Sequence, residues 1–423
     1  LPFRFLHAAD LHLDSPLRSL ALRDPALAEL VGNATRTALV NIVDLCLSEQ
    51  VDALLIAGDL YDGEQTSMKT ARFLGAQMGR LHEAGVRVFI VRGNHDAMSR
   101  ITAELTLPES VKIFGGRADA VEIAGRGGAP DVAIHGLSFS KPHAPEPLFA
   151  KYRAPISGAV NIALMHTSLD GTLGHDEYAP CKITDLHGAG FEYWGLGHIH
   201  RRSVVHSPSV VVMPGMPQGR DINEAGAKSV TLVTVGDDRS IVVEEHITSV
   251  AQFERVEVDL TGVSDWRDMV GVVERALGTA RDKAASPHLV ARLKLTGATE
   301  LAWRLRREPE LARAEAESRA EAIGNSWIER IDVACVAPLQ AGGDAADPLL
   351  DLRHLMEAEV RESAAFRREI GDIADELRLQ LPAECRAMLG QDEAAFEREL
   401  EELMREGTED VLAKLHARAA EQA

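Results

Sequence analysis

Residues 195–200, GLGHIH, place His198 and His200 one residue apart, directly after the apolar and aromatic run FEYW. Four further stretches carry residues of the same chemical kind: Asp10 and His12 in ADLH, Asp59 in AGDLYD, Asn94, His95 and Asp96 in RGNHD, and His166 in LMHTS. A lone DxH or HxH is weak evidence for a metal site. Five such stretches in order, each at the end of an apolar run, are not accounted for by chance. Setting His95 and Asp96 aside, the remaining set is two carboxylates, four imidazoles and one amide oxygen. Manganese, iron or zinc accepts that mixture, whereas calcium or magnesium prefers all-oxygen sets and structural zinc prefers thiolates. Seven ligands exceed the needs of one ion. Two divalent ions about 3.5 to 4 Å apart, sharing one carboxylate, would use them all, and such a pair activates water and neutralises charge on a phosphoryl group.

The elements that must position these residues are legible in the first 245 residues. FRFLHAAD, VDALLIAGD, VRVFIVRGNHD, VAIHGLSF, VNIALMHTS, YWGLGHIH, SVVVMPG and SVTLVTV read as short buried strands. NATRTALVNIVDLCLSEQ and TSMKTARFLGAQMGRLHEAG have helical periodicity, the second ending at Gly85. Strands alternating with helices, then further strands, predict a layered α/β domain on a mixed sheet pair. In such folds the carboxyl ends of strands converge on one crevice, so residues spread over 190 positions can meet there. GRGGAPD and KPHAPEPLFAKYRAP read as surface loops, and Gly215, Gly219 and Gly226 as turns.

The ordered motifs DLH, GDLYD, GNHD, MHTS and GHIH resemble those of the calcineurin-like metallophosphoesterases. The longer contexts FLHAADLHLDSPL and MPGMPQGRDINEAGAKSVTLVTV are similar to SbcD-type DNA repair exonuclease subunits, in particular the YhaO-like branch. The specific likeness covers about residues 5 to 235. It implies a four-layer α/β (α+β sandwich) metallophosphoesterase core. It also implies that Asp10, His12, Asp59 and His200 hold one metal and Asp59, Asn94, His166 and His198 the other, with Asp59 bridging and His95 the catalytic histidine that binds no metal. Manganese is the first expectation, with iron or zinc as alternatives. Where some members carry a second histidine three residues after the bridging aspartate, this chain has Asp62. Asp96 could orient His95 or only close a turn. Arg220, in PQGRDINE, is the expected phosphate contact, with an ion pair to Glu224 or Asp221 the more cautious reading. His7 reads as structural, and His135, His175 and His187 as solvated.

At 423 residues the chain is too long for one ordinary core. Residues 1–248 would form the catalytic domain and 249–340 a small βαβαβ cap. Residues 349–423 would form an acidic helical region, broken at Pro382, in which Ile370, Ile373 and Leu377 share one face and Leu400, Leu403 and Met404 another. Hydrophobic content of 45% and charged content of 26%, with no long uninterrupted apolar run, predict a globular cytoplasmic protein that uses no membrane. The cysteines (Cys46, Cys181, Cys335, Cys385) are too scattered for a disulfide framework or a thiolate zinc site. A net charge of −20 argues against coating nucleic acid by bulk electrostatics, yet residues 344–423 alone hold 21 acidic against 10 basic residues. A local DNA site therefore stays open, with Arg292, Lys294, Arg304, Arg306 and Arg307 of the cap as backbone contacts.

The leading expectation is a metal-dependent DNA nuclease subunit, a 3′-to-5′ exonuclease or endonuclease. The resemblance implies an SMC-like ATPase partner docked on the C-terminal helices, and homodimerisation stays open. A small-nucleotide phosphodiesterase and a non-catalytic scaffold subunit are the alternatives.

Overall fold

The computed structural model describes residues 2–15, 25–61, 67–96, 106–125, 131–141, 146–169, 178–338, 348–381 and 393–422. Asp62, His175, Pro382 and Cys385 lie outside them, as do residues 126–130 and 142–145 of the two expected loops. Two compact units divide the chain: Leu1–Glu254 with Arg281–Val290, and Arg255–Ala280 with Ala291–Ala423. The division thus falls a few residues beyond 248, and the C-terminal helices share a unit with most of the cap.

In chain order the first unit contains β1 (Phe3–Ala8), α1 (Pro25–Ser48), β2 (Ala53–Ala57), α2 (Met68–Glu83), β3 (Arg87–Val91), β4 (Val111–Ile113), β5 (Asp119–Ile123), β6 (Val132–Gly136), β7 (Val160–His166), α3 (Ile183–Gly188), β8 (Tyr193–Gly197), β9 (Ser203–Val205), β10 (Val210–Met213), β11 (Ser229–Val235) and β12 (Ile241–Ile247). They form two six-stranded sheets, in the orders β12-β11-β1-β2-β3-β4 and β5-β6-β7-β8-β10-β9. The central strands β1, β2 and β3 run parallel, as do β6, β7, β8 and β10.

Side-chain alternation at period two explains the layering. In β2, Ala53, Leu55 and Ala57 face an inter-sheet core with Phe5, Phe89, Ile162, Leu164 and Tyr193. Leu54 and Ile56 point the other way, into a second core with Leu39, Ile42, Val43, Leu74 and Met78 of α1 and α2. On the second sheet Ala163, Met165, Trp194 and Leu196 turn outward to pack with Leu186 of α3. Helix, sheet, sheet and helix thus make four layers. Strands buried on both faces read as continuous apolar runs, which is why these elements are visible in the sequence. By length and composition α1 could cross a bilayer. Its Val31, Ala38, Leu39, Ile42, Val43 and Cys46 are buried, and this accounts for its apolar character.

The second unit is built on β13 (Ala251–Asp259), α4 (Trp266–Lys283), β14 (His288–Thr296), α5 (Ala302–Arg307), α6 (Pro309–Ile323) and β15 (Ser326–Val333), with a three-stranded sheet β13-β14-β15. β13, α4 and β14 contribute their remaining residues to the first unit. The single charged helix expected between β14 and β15 is two helices. Pro309 lacks the N–H that would continue α5 and instead starts α6 at its first turn. Four of the five cationic residues expected as backbone contacts are engaged within this unit. Arg292 pairs with Glu329, Arg304 with Glu308 while stacked over Trp266, Arg306 with Asp410, and Arg307 with Glu308. Lys294 is exposed.

Among the described residues, three α-helices follow: α7 (Pro348–Leu355), α8 (Ala364–Gln380) and α9 (Glu393–Gln422). Leu412 and Ala413 of α9 pack with Trp303 of α5, Ala337, Leu352 and Met356. The apolar positions expected to share a face divide. Leu400 and Met404 are buried, whereas Leu403, Ile373 and Leu377 are exposed.

Candidate metal centre

Every residue of the expected metal set lies at or just past the carboxyl end of a central strand. Asp10 and His12 lie just past β1, Asp59 past β2, Asn94 past β3, and His198 and His200 past β8, while His166 is the last residue of β7. The loops are tied to one another. The Asp10 N–H donates to Gly58 O at 3.0 Å and the His12 N–H to Asp59 O at 3.0 Å. Asp10, His12, Asp59 and His198 have φ of 53°, 42°, 50° and 100°, in the left-handed region that residues with a Cβ rarely adopt. Such conformations cost on the order of 1 to 3 kcal/mol each and persist where neighbouring contacts over-determine them. Gly93 is there because nothing larger fits. A Cβ at that position would run into Asp59 Oδ1 and sit 2.7 to 2.8 Å from the His166 ring.

Two ligand clusters result. Ligand-capable atoms of Asp10, His12 and His200 lie within 4.8 Å of one another, and so do those of Asp59, His166 and His198. Asn94 joins the second cluster through Oδ1, 2.9 Å from His166 Nε2. The carboxylate of Asp10 accepts the His198 N–H at 3.0 and 3.1 Å, linking the two clusters. The Asp59 Oδ1 accepts the His95 N–H at 3.0 Å. The His95 ring stands edge-on to His12, with centroids 5.2 Å apart.

The donor set fits divalent metal. His166 Nδ1 donates to the carbonyl of Ala57 at 3.0 Å, so in a neutral imidazole Nε2 carries a lone pair. That lone pair faces Asn94 Oδ1 at 2.9 Å and Asp59 Oδ2 at 3.4 Å, a convergence that needs a cation or a proton. Across the other cluster, His12 Nε2 and His200 Nε2 face each other at 3.2 Å. The protonation balance expresses the same crowding. Burial pushes the His166 imidazole down, but Asp59 and Asp10 outweigh it and raise it to about 9. Burial pushes Asp59 up, and the imidazoles of His166, His12 and His95 more than reverse this, holding it well below the carboxylate range. Asp10 goes the opposite way, raised by burial and by Asp59. A metal ligated at His166 Nε2 must displace its proton.

Surrounding residues lock this arrangement. Asp96 is fully buried, and its carboxylate accepts the N–H of Leu60 at 2.9 Å and of Tyr61 at 3.0 Å. Of the two roles open to it, closing the loop behind Asp59 is the one these bonds describe. Burial and the Asp59 charge push its carboxyl up to about 7. Arg220, expected as a phosphate contact, is bound by Glu224, with Nη2 2.7 Å from Oε1 and its own N–H 2.7 Å from Oε2. Asp221 is used differently, accepting the Asn223 N–H. Glu224 also reaches His200, with Oε1 2.8 Å from Nδ1. The sequence could suggest the pair with Arg220 from its spacing, but the bond to a residue 24 positions earlier depends on how the loop returns.

His7 is buried within the sheet pair, with Nδ1 2.9 Å from the Tyr193 hydroxyl. His135, expected to be solvated, is buried on β6 and held by Asn161 Oδ1 at 2.9 Å, because β6 is an inner strand of its sheet. His187 is half-buried on α3, with Nδ1 2.9 Å from Ser209 Oγ.

Two clusters of carboxylate and imidazole at the strand ends of a four-layer sandwich define a dimetal phosphoesterase centre. The chain belongs to the calcineurin-like metallophosphoesterases. Residues 3–202 match the family model for calcineurin-like phosphoesterases, and residues 253–336 match that for the middle domain of metallophosphoesterase YhaO. The chain is similar to metallophosphoesterase YhaO of Bacillus subtilis (strain 168), with 34% identity over 78% of this chain and 81% of that protein. It is more distantly similar to the DNA double-strand break repair protein Mre11 of Methanopyrus kandleri, with 25% identity over 64% of this chain and 59% of that one. It also resembles a subunit of the nuclease SbcCD of Bacillus subtilis (strain 168), with 23% identity over 54% of this chain and 66% of that one. Members of the family use two divalent metals, and the two clusters answer to that requirement.

Proposed function

We propose that this metallophosphoesterase is a DNA nuclease subunit that cleaves phosphodiester bonds, as a 3′-to-5′ exonuclease or an endonuclease, together with an SMC-like ATPase. The observation that carries the reading is the pair of ligand clusters with His95 beside them. The likeness to a DNA break repair protein and to a nuclease favours DNA over a small nucleotide as substrate.

Asp10, His12, Asp59 and His200 would hold one ion, and Asp59, Asn94, His166 and His198 the other. Bound divalent ions, manganese first among them, supply activated water and neutralise phosphoryl charge. The protein's share is positioning. Asp59 fixes the backbone of His95 through Oδ1, and the His95 imidazole delivers a proton to the departing sugar oxygen. Removing a general acid of this kind lowers the rate about 10²- to 10⁴-fold.

The test is cleavage of end-labelled single- and double-stranded DNA with manganese, comparing the wild type with His95→Ala and Asp59→Ala. Cleavage lost in both, with both metals retained by His95→Ala, is the expected result. If bis-p-nitrophenyl phosphate is hydrolysed while DNA stays intact, even with an SMC-like ATPase added, the small-nucleotide reading replaces this one. Metal binding with turnover of neither substrate would make the chain a scaffold.

A further inference from the structure

The metal-facing histidines differ in what lies behind them. His166 has a neutral backbone carbonyl, Ala57 O, at its far nitrogen, whereas His200 has a carboxylate, Glu224. Glu224 is itself immobilised. Its side chain is only 11% exposed, and it takes both the backbone N–H and the guanidinium of Arg220. The turn that carries it is pinned on either side of Ile222, which is buried, by the Asp221 side chain accepting the Asn223 N–H at 2.7 Å. Neighbouring glycines let this turn press close: a Cβ at Gly219 would lie 2.8 Å from Glu224 O, and one at Gly215 would lie 2.8 Å from His200 O. A side chain placed this firmly on an imidazole constrains its ring orientation.

We infer that Glu224 is a positioning residue for the first cluster. Its carboxylate accepts the Nδ1–H of His200 and so directs the Nε2 lone pair toward Asp10 and His12, while Arg220 holds the carboxylate in place. The chemistry follows from what each atom can do. A carboxylate only accepts, so Nδ1 must be the donor, and a neutral imidazole protonated at Nδ1 offers its lone pair at Nε2. That nitrogen stands 3.2 Å from His12 Nε2, on the cluster side of the ring. A carboxylate behind a ligating histidine fixes its tautomer and raises its basicity, and loss of such a partner typically costs 10- to 100-fold in metal affinity. On this assignment Arg220 serves the centre through Glu224.

The inference rests on the two-metal reading of the site, and calorimetric titration of the metal-free protein with manganese separates the two. Wild type should bind two equivalents. Glu224→Ala should weaken one equivalent by about 10- to 100-fold and leave the other unchanged, with Glu224→Gln, which keeps one acceptor oxygen, falling between. In a His200→Ala background the Glu224→Ala change should have no further effect on metal affinity, since no ring is left to orient. If Glu224 only closes the 220–224 turn, thermal unfolding of the metal-free variants will shift while both affinities stay at wild-type values, and the inference is overturned. A loss that persists in the His200→Ala background overturns it as well. Failure of wild type to bind manganese at all would remove the two-metal reading and this inference together.

Discussion

Asp96 gives the sharpest test of how the centre is held. Both of its oxygens are spent on backbone N–H groups, Leu60 at Oδ2 and Tyr61 at Oδ1, in the two residues that follow Asp59. The same loop is joined to the His12 loop by the bonds of His12 N to Asp59 O and Leu13 N to Leu60 O, each 3.0 Å. Asp96→Ala would leave two buried donors without acceptors. At about 1 to 3 kcal/mol for each unsatisfied buried group the loss is about 2 to 6 kcal/mol, a large part of the roughly 5 to 15 kcal/mol that stabilises a typical domain. Asp96→Asn retains one acceptor and turns an amide NH₂ toward the other N–H, so about half that loss is expected. Urea unfolding of the metal-free variants measures it, and manganese titration should show the affinity of the Asp59 cluster falling in step. A variant with wild-type stability and full metal binding, yet no turnover, would refute this account and assign Asp96 to the His95 imidazole instead.

Gly93→Ala should leave a folded protein that has lost metal from the second cluster, because the new methyl meets Asp59 and His166 at once; elemental analysis should show one equivalent where wild type holds two. His7 predicts an acid sensitivity. Burial, helped by the charge of Arg202, lowers its pKa from 6.5 to about 3, so below pH 6.5 the unfolded chain takes up a proton that the folded chain refuses. Stability from this group is therefore complete above pH 6.5 and falls as the pH drops toward 3, by about 2 to 3 kcal/mol at pH 4.5. Urea unfolding of wild type and His7→Gln from pH 7 to about 4.5 should diverge by that amount. Parallel curves would show that His7 is protonated in the folded state.

How far the sequence carries the fold depends on where each strand lies. β1, β2, β3, β6, β7, β8, β10 and β11 are legible as apolar runs, and all are interior strands of their sheets. β4, β5, β9 and β12 are not, and these four are the edges of the two six-stranded sheets. An edge strand is paired on one side only and here is short or half-exposed, as in IVVEEHI of β12, so it carries little of the apolar signal that burial imposes. The burial of His135 is hidden for a related reason, since a polar side chain within an apolar strand does not show which buried partner will satisfy it.

For the centre itself, the sequence determined the identity of the donors and their place at strand ends, because only particular side chains bind metal and only the end of a buried strand can present them to a crevice. Tertiary structure decided which donors meet. Parallel pairing of β1 with β2 and of β7 with β8, and the packing of one sheet on the other, divide six residues into Asp10, His12 and His200 on one side and Asp59, His166 and His198 on the other. It also decided what stands behind them. Asp96 reaches across 36 positions to close the Asp59 loop, and Glu224 returns across 24 to His200. Local spacing encodes neither contact: the first joins loops brought side by side by the parallel pairing of β2 with β3, and the second joins the loop after β8 to the segment that runs from β10 in one sheet to β11 in the other.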